Sequence, residues 1–191
     1  AINQSTNSSS DIIWVCWLQG IENAPPLVKT CITSLQKNHS NVIIIDLKNY
    51  DQFIDMPDFL VQKFEKKIIQ PAHFSDVLRF ALLSQYGGMW IDATYLCING
   101  IPSKILKKKF FTLSSTENFF KKWLPEGKWS CNFIKFGTND PTPKFIYEAL
   151  INYWSKNNKV IDYFLLDYII KLAYQYIPSF KLQLEQNENL A

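Results

Sequence analysis

Two hydrophobic rhythms alternate along the first half of this chain. Ile12 to Leu18 (IIWVCWL) and Val42 to Leu47 (VIIIDL) are short, nearly unbroken apolar runs. Such runs predict strands buried on both faces. Between them, Asn23-Ala24-Pro25-Pro26 opens a segment that predicts a helix to about Lys37, proline being tolerated in a first turn. Strand, helix, strand begins a right-handed βαβ unit and a parallel sheet. Pro57 to Lys67 predicts a second helix, and Pro71 starts a third. On that third helix, Phe74, Val77, Leu78, Ala81 and Leu82 share one face, while Asp76 and Arg79 fall together on the other side. Gly87 stands where a left-handed C-cap belongs, and Met89-Trp90-Ile91 predicts a short strand ended by Asp92. Further strands are expected over Phe110 to Ser115 and Cys131 to Phe136. Aromatic-rich helices are expected over Pro141 to Lys156 and Ile161 to Tyr176, with Pro178 stopping the last. The pattern defines an α/β protein with a mostly parallel sheet flanked by helices.

Composition narrows this picture. The 191 residues suffice for one domain with a substantial core, and no internal repeat or linker divides them. Residues 1–11 read as a disordered lead, 12–182 as the domain, open to truncation at its C-terminal side, and 183–191 as a polar tail. A net charge of +3, without an arginine-rich tract, excludes a nucleic-acid binder. Cys16, Cys31, Cys97 and Cys131 lack metal-ligand spacing and read as reduced, mostly buried thiols of a cytoplasmic protein. No apolar run is long enough to span a bilayer. Lys104, Lys107, Lys108, Lys109, Lys121, Lys122 and Lys128 make a basic, aromatic-laced middle. Such runs are ordinarily solvated faces, but they also suit contact with anionic lipid at the inner face of the cell membrane.

The candidate chemistry lies in residues 75–94. Arg79 is the single arginine in a chain whose other strong bases are lysines. Its rigid fork of donors matches carboxylate or phosphate as an ammonium does not. Asp76 and Arg79 at this spacing would ordinarily be a solvated ion pair of a few tenths of a kcal/mol, and Asp92 an ordinary strand-end residue. Together they are more telling. A helix bearing Asp and Arg runs through Gly87-Gly88 into a strand ending in Asp, which gathers two carboxylates and a guanidinium at one sheet edge. In open α/β sheets ligands bind beyond the C-terminal strand ends.

The run SDVLRFALLSQYGGMWIDAT resembles the core motif of glycosyltransferases of the GT-A fold, in which a DXD-type signature follows a Ser-Asp-x-x-Arg helix. Relatives include yeast-type α-mannosyltransferases and the glucosylating toxins of clostridia. The capsular polysaccharide synthesis family is most similar: Trp14, Trp17 and Gly20, then Glu22 to Pro25, Ala72 to Asp76, and Gly87 to Thr94 match its motifs. The resemblance covers roughly Ile12 to Tyr168 and implies a GT-A-like, Rossmann-type domain.

It also implies roles. Trp17 matches the aromatic that stacks on the nucleotide base, whereas Trp14 is the better candidate for the core. Asp76 and Arg79 match the pair gripping the donor sugar, with Asn132 placed beside it. Asp92 matches the first acid of the signature, near ribose and metal. Either Asp162 or Asp167 is a candidate for a late active-site carboxylate, against the commoner reading of a helix-surface acid. Thr94 stands where the second acid usually is, so a site for Mn2+ or Mg2+ on Asp92 and Thr94 is weakened. The implied activity is transfer of a sugar, with retention, from a nucleotide-diphosphate sugar, UDP-sugar favoured, to a saccharide or polyprenyl-diphosphate-linked acceptor. The rival is a degenerate, non-catalytic domain that binds nucleotide sugar or saccharide.

Overall fold

The computed structural model describes residues 11–187. In chain order the elements are β1 (Ile13–Cys16), α1 (Pro26–Asn38), β2 (Val42–Ile45), α2 (Asp58–Glu65), α3 (Pro71–Tyr86) and β3 (Gly88–Ile91). There follow α4 (Ser103–Leu106), β4 (Phe111–Thr112), α5 (Asn118–Lys121), β5 (Phe133–Phe136), α6 (Pro141–Lys156), α7 (Leu165–Tyr176) and α8 (Pro178–Glu185). The strands form one sheet in the order β2-β1-β3-β5-β4. β1 pairs in parallel with both β2 and β3, while β5 runs antiparallel to β3 and to β4. Since β4 is antiparallel to β5, it points the same way as β3. The sheet is therefore mostly parallel, with β5 the one reversed strand among the described residues.

Side chains alternate across the sheet as the pleat requires. Ile13, Val15, Met89 and Ile91 enter a core beneath α1, with Val28, Ile32 and Leu35. Trp14, Cys16 and Trp90 enter the larger core on the opposite face, with residues of α3, α6, α7 and α8. Trp14 is fully buried, packs edge-on to Phe53 and donates its indole N–H to the Gly87 carbonyl at 2.9 Å. That bond ties β1 to the exit of α3. The Gly87-Gly88 turn leaves no room for side chains. Gly87 has φ 65° with Thr138 N only 2.8 Å from where a Cβ would stand, and at Gly88 the Ile12 carbonyl oxygen is 2.6 Å from that point.

Several elements differ from their sequence expectation. The α7 helix begins at Leu165 rather than Ile161, because Asp162 Oδ1 accepts the Phe164 N–H at 2.8 Å and holds a turn instead. Pro178 does end α7, but it also starts α8 as its first residue. The tail expected from residue 183 is a correction. α8 continues to Glu185, Leu184 is buried one turn after Phe180, and the Asn187 amide brackets Thr112 of the edge strand. Asn187 Oδ1 accepts the Thr112 N–H at 3.3 Å and Nδ2 donates to its carbonyl at 2.8 Å. Residues 188–191 of that tail, and all of the expected lead except Asp11, lie outside the described residues. All four cysteines are free thiols. No helix among the described residues is long and apolar enough to cross a membrane.

Candidate active site

The α3 helix is packed between the sheet and α6, so even its polar side is enclosed. Arg79 is only 5% exposed, which rules out the solvated surface pair. Its Nη2 sits 3.3 Å from Asp92 Oδ1 and 3.5 Å from Asp76 Oδ1, and the guanidinium carbon lies 4.8 Å from the centre of the Trp90 ring. Trp90 donates its indole N–H to the same Asp92 oxygen at 2.7 Å. Asp92 is thus anchored through Oδ1 from two sides, yet its side chain remains 32% exposed toward the cavity. Burial works against the charge on Arg79, but Cys131, Asp76 and Asp92 together outweigh it and raise its pKa. Arg79 Nε and Nη1 find no hydrogen-bond partner among the described residues. Buried donors left in that condition are costly unless a ligand or water meets them.

These groups face a cavity of about 810 Å³ at one edge of the sheet. Trp17 follows β1, Asp92 and Thr94 follow β3, Ser114 follows β4, and Asn132 precedes the reversed β5, so all converge at the same end. The Asp92 N–H donates to the Asn132 carbonyl at 2.9 Å, which fixes β3 against β5 at the mouth. Trp17 is half-buried on the cavity wall, and its indole N–H has no partner among the described residues. Thr94 and Asn132 are exposed within it.

Of the two late carboxylates, the structure brings only Asp167 to the cavity. It lies in the first turn of α7, is 8% exposed, and accepts the Trp129 indole N–H at 2.9 Å. Burial raises its pKa, the bond from Trp129 opposes that, Asp76 adds to the rise and Arg79 subtracts from it. Asp162 is exposed, committed to its own turn, and not part of the lining.

Three lining residues were not legible as site residues. Trp129 positions Asp167 across 38 residues, a partnership that no local pattern encodes. His73, 5% exposed, sets Nδ1 at 3.6 Å from Asp76 Oδ2, beyond hydrogen-bond range. Its signals were its place one turn before Asp76 and its membership of the Ala72 to Asp76 motif. Cys131 stands beside Arg79, and burial pushes its thiol up to about 12, as it does for Cys16. Neutral thiols of that kind are not nucleophiles.

Among the described residues no three His, Cys, Asp or Glu side chains converge as a metal site. The charge balance of the cavity is nevertheless suggestive. Its lining holds the carboxyl groups of Asp76, Asp92 and Asp167 against the single guanidinium of Arg79.

The described residues share their fold with a solved glycosyltransferase. The PaToxG glycosyltransferase structure superposes with a TM-score of 0.57 at 20% identity, covering 92% of this chain and 73% of that one. The likeness is one of fold, a mostly parallel sheet flanked by helices. An uncharacterized glycosyltransferase of Acanthamoeba polyphaga mimivirus is 27% identical over 124 residues, which are 60% of this chain and 47% of the relative. This chain thus spans about half the length of that relative. The chain belongs to the capsular polysaccharide synthesis protein family, whose model matches residues 1–190.

Proposed function

We propose that this domain is a glycosyltransferase acting on a nucleotide-diphosphate sugar, with UDP-sugar favoured, and passing the sugar to a saccharide or polyprenyl-diphosphate-linked acceptor. The observation that carries this reading is the buried Asp76–Arg79–Asp92 cluster at the ligand-binding edge of an α/β sheet, beside an indole with an unused N–H. Trp17 offers a face to the base. Asp92 and Asp76 accept hydroxyls of ribose and sugar, and Asn132 closes that side. The two unpartnered donors of Arg79 meet oxygens of the sugar or diphosphate.

Transfer proceeds with retention. The bond from the anomeric carbon to the diphosphate breaks as the acceptor hydroxyl approaches on the same face, and the hydroxyl proton passes to the departing phosphate oxygen. No strong protein base is needed. The carboxylates stabilise the cationic sugar ring, and Arg79 stabilises the charge released on the diphosphate. Enclosure of Arg79 by α6 and the sheet strengthens its share, because water is kept from the guanidinium.

A divalent cation fits this donor set. A formally negative cavity disfavours a bare diphosphate, and Mg2+ is commonly held by one or two carboxylates together with substrate phosphate oxygens and water. Here the set is reduced to one carboxylate and a weaker hydroxyl. Asp92 and the Thr94 hydroxyl would be those protein ligands, and the bound ion would supply charge neutralisation for the diphosphate.

Titration of the purified chain with UDP and UDP-sugars, with and without Mn2+, followed by an assay for sugar release or transfer, tests the reading. Asp92→Asn should lower turnover by about a thousandfold, the upper range for removing one preorganised transition-state contact, while the melting curve stays cooperative. Wild-type rates in Asp92→Asn would refute the assignment. Donor binding without turnover in the wild-type chain would make it a binding domain.

A further inference from the structure

We infer that the outer half of the cavity is a docking platform for a pyranose ring of the acceptor, built by Trp123 and Phe164 together with the carboxylate of Asp167. The inference rests on the donor reading only for its name as acceptor; its own observations concern other residues of the same cavity.

Between β4 and β5 the chain makes an excursion from Ser115 to Gly127 that carries α5 and Trp123. Its base is closed by the Ser115 N–H donating to the Gly127 carbonyl at 2.8 Å. Gly127, with φ 76°, comes so near that an added Cβ would stand 2.1 Å from the Ser115 carbonyl oxygen. Glu126 is paired with both Lys128 and Lys171, and the two lysines pull its carboxyl down to about 2. Lys171 belongs to α7, so the excursion is fastened to the helix that supplies Asp167.

Two rings of this structure stay partly open, although Phe119 packs edge-on to Trp123 and the Lys122 ammonium lies 5.7 Å from its ring centre. Trp123 is 47% exposed and Phe164 46%, with ring centres 6.4 Å apart and planes inclined at 50°. Both line the same cavity as Arg79 and Asp92. The same lining holds groups of another kind: Asp167 and the serines Ser114, Ser115 and Ser130. Flat apolar faces beside hydroxyls and a carboxylate match a sugar ring, which has an apolar C–H face and a polar rim. A lipid chain would find the polar lining unfavourable, and the donor reading assigns the nucleobase to Trp17. At about 810 Å³ the cavity is toward the upper end of the size usual for one ligand, so it has room for a second sugar beside a donor.

The test uses the full chain labelled with 5-fluorotryptophan, in which Trp123→Phe and Trp17→Phe identify two of the fluorine resonances. Three probes are added separately: UDP with Mn2+, a panel of methyl hexopyranosides and their disaccharides, and phosphatidylglycerol vesicles. Saccharides should shift the Trp123 resonance, and UDP should shift that of Trp17. In Trp123→Ala, monitored by calorimetry, saccharide affinity should fall about tenfold, the size expected for loss of one stacking ring, while UDP affinity changes less than about twofold. Trp123→Phe should recover most of the loss. A Trp123 signal that no saccharide moves, or one moved by vesicles instead, overturns the proposal, as does full saccharide affinity in Trp123→Ala. Failure of UDP to bind would strike the donor reading alone, because the saccharide arm is read at a separate indole.

Discussion

The parallel half of the sheet and its antiparallel half meet at the same cavity but are held together differently. In the parallel half, Arg79 and Asp92 are thirteen residues apart and joined by one helix, one turn and one strand. The guanidinium is buried, paired with a carboxylate that stays open to the cavity, and the pair is backed by Trp90 and the α3 helix. In the antiparallel half, β4 has only two residues, and its edge is completed by Asn187 from 75 residues away. Asp167 depends on Trp129 across 38 residues. The first arrangement fixes geometry through short covalent paths. The second relies on distant side chains and leaves rings open to solvent.

Four substitutions sharpen this contrast. Trp14 supports the parallel half from behind, so Trp14→Ala should lower unfolding stability by about 3–5 kcal/mol, read by chemical denaturation, since it empties a core position and removes the bond to Gly87. A loss under about 1 kcal/mol would mean that β1 does not brace the site.

Arg79→Lys tests geometry apart from charge. One ammonium cannot reach Asp76 and Asp92 and still present a planar pair of donors. UDP-sugar turnover should fall about tenfold to a hundredfold with the fold intact. Unaltered kinetics would reduce the arginine to a structural cation.

Trp17→Ala should cost about 1–3 kcal/mol of nucleotide affinity, by analogy with base stacking, and leave the melting temperature nearly unchanged. Should it unfold the chain while Trp14→Ala weakens nucleotide binding, the two indoles have exchanged roles.

The smallest effect belongs to Asp167. Folding raises its pKa above the ordinary 3.8, chiefly through burial, so its proton is held more tightly in the folded chain. The ionised form therefore costs stability above the folded pKa, and that cost disappears below the ordinary value. Asp167→Asn keeps an acceptor for Trp129 and removes the charge. Its melting temperature should exceed wild type at neutral pH, with the gain shrinking as pH falls into the carboxylate range. A gain that grows toward acid would contradict the sign.

The same contrast explains what could be read from the sequence. Pro71, Gly87 and the strand after it are local signals that located α3, the position of its cap and the strand end at Asp92. Gly87 (φ 65°, ψ −152°) nevertheless caps the helix with an extended ψ rather than in the left-handed helical conformation. The burial of Arg79 was hidden, because the helical wheel records one apolar face, whereas α6 covers the other. Asp162 and Asp167 looked alike in IDYFLLDYII; the Asx turn at Asp162 and the reach of Trp129 separate them. The short β4, the α8 helix and the open rings of Trp123 and Phe164 depend on long-range partners, which periodicity does not register.

The tight passage through Gly87 and Gly88 also makes chain length part of the site. One residue inserted between Arg79 and the turn would rotate the arginine about 100° around its helix. One inserted within β3 would send Asp92 to the other face of the sheet. Insertions in the Ser115–Gly127 excursion disturb neither relation. Insertion scanning should therefore find 79–92 intolerant at nearly every step and 116–125 permissive. The count of residues between Arg79 and Asp92 is as much a requirement of the site as the two side chains themselves.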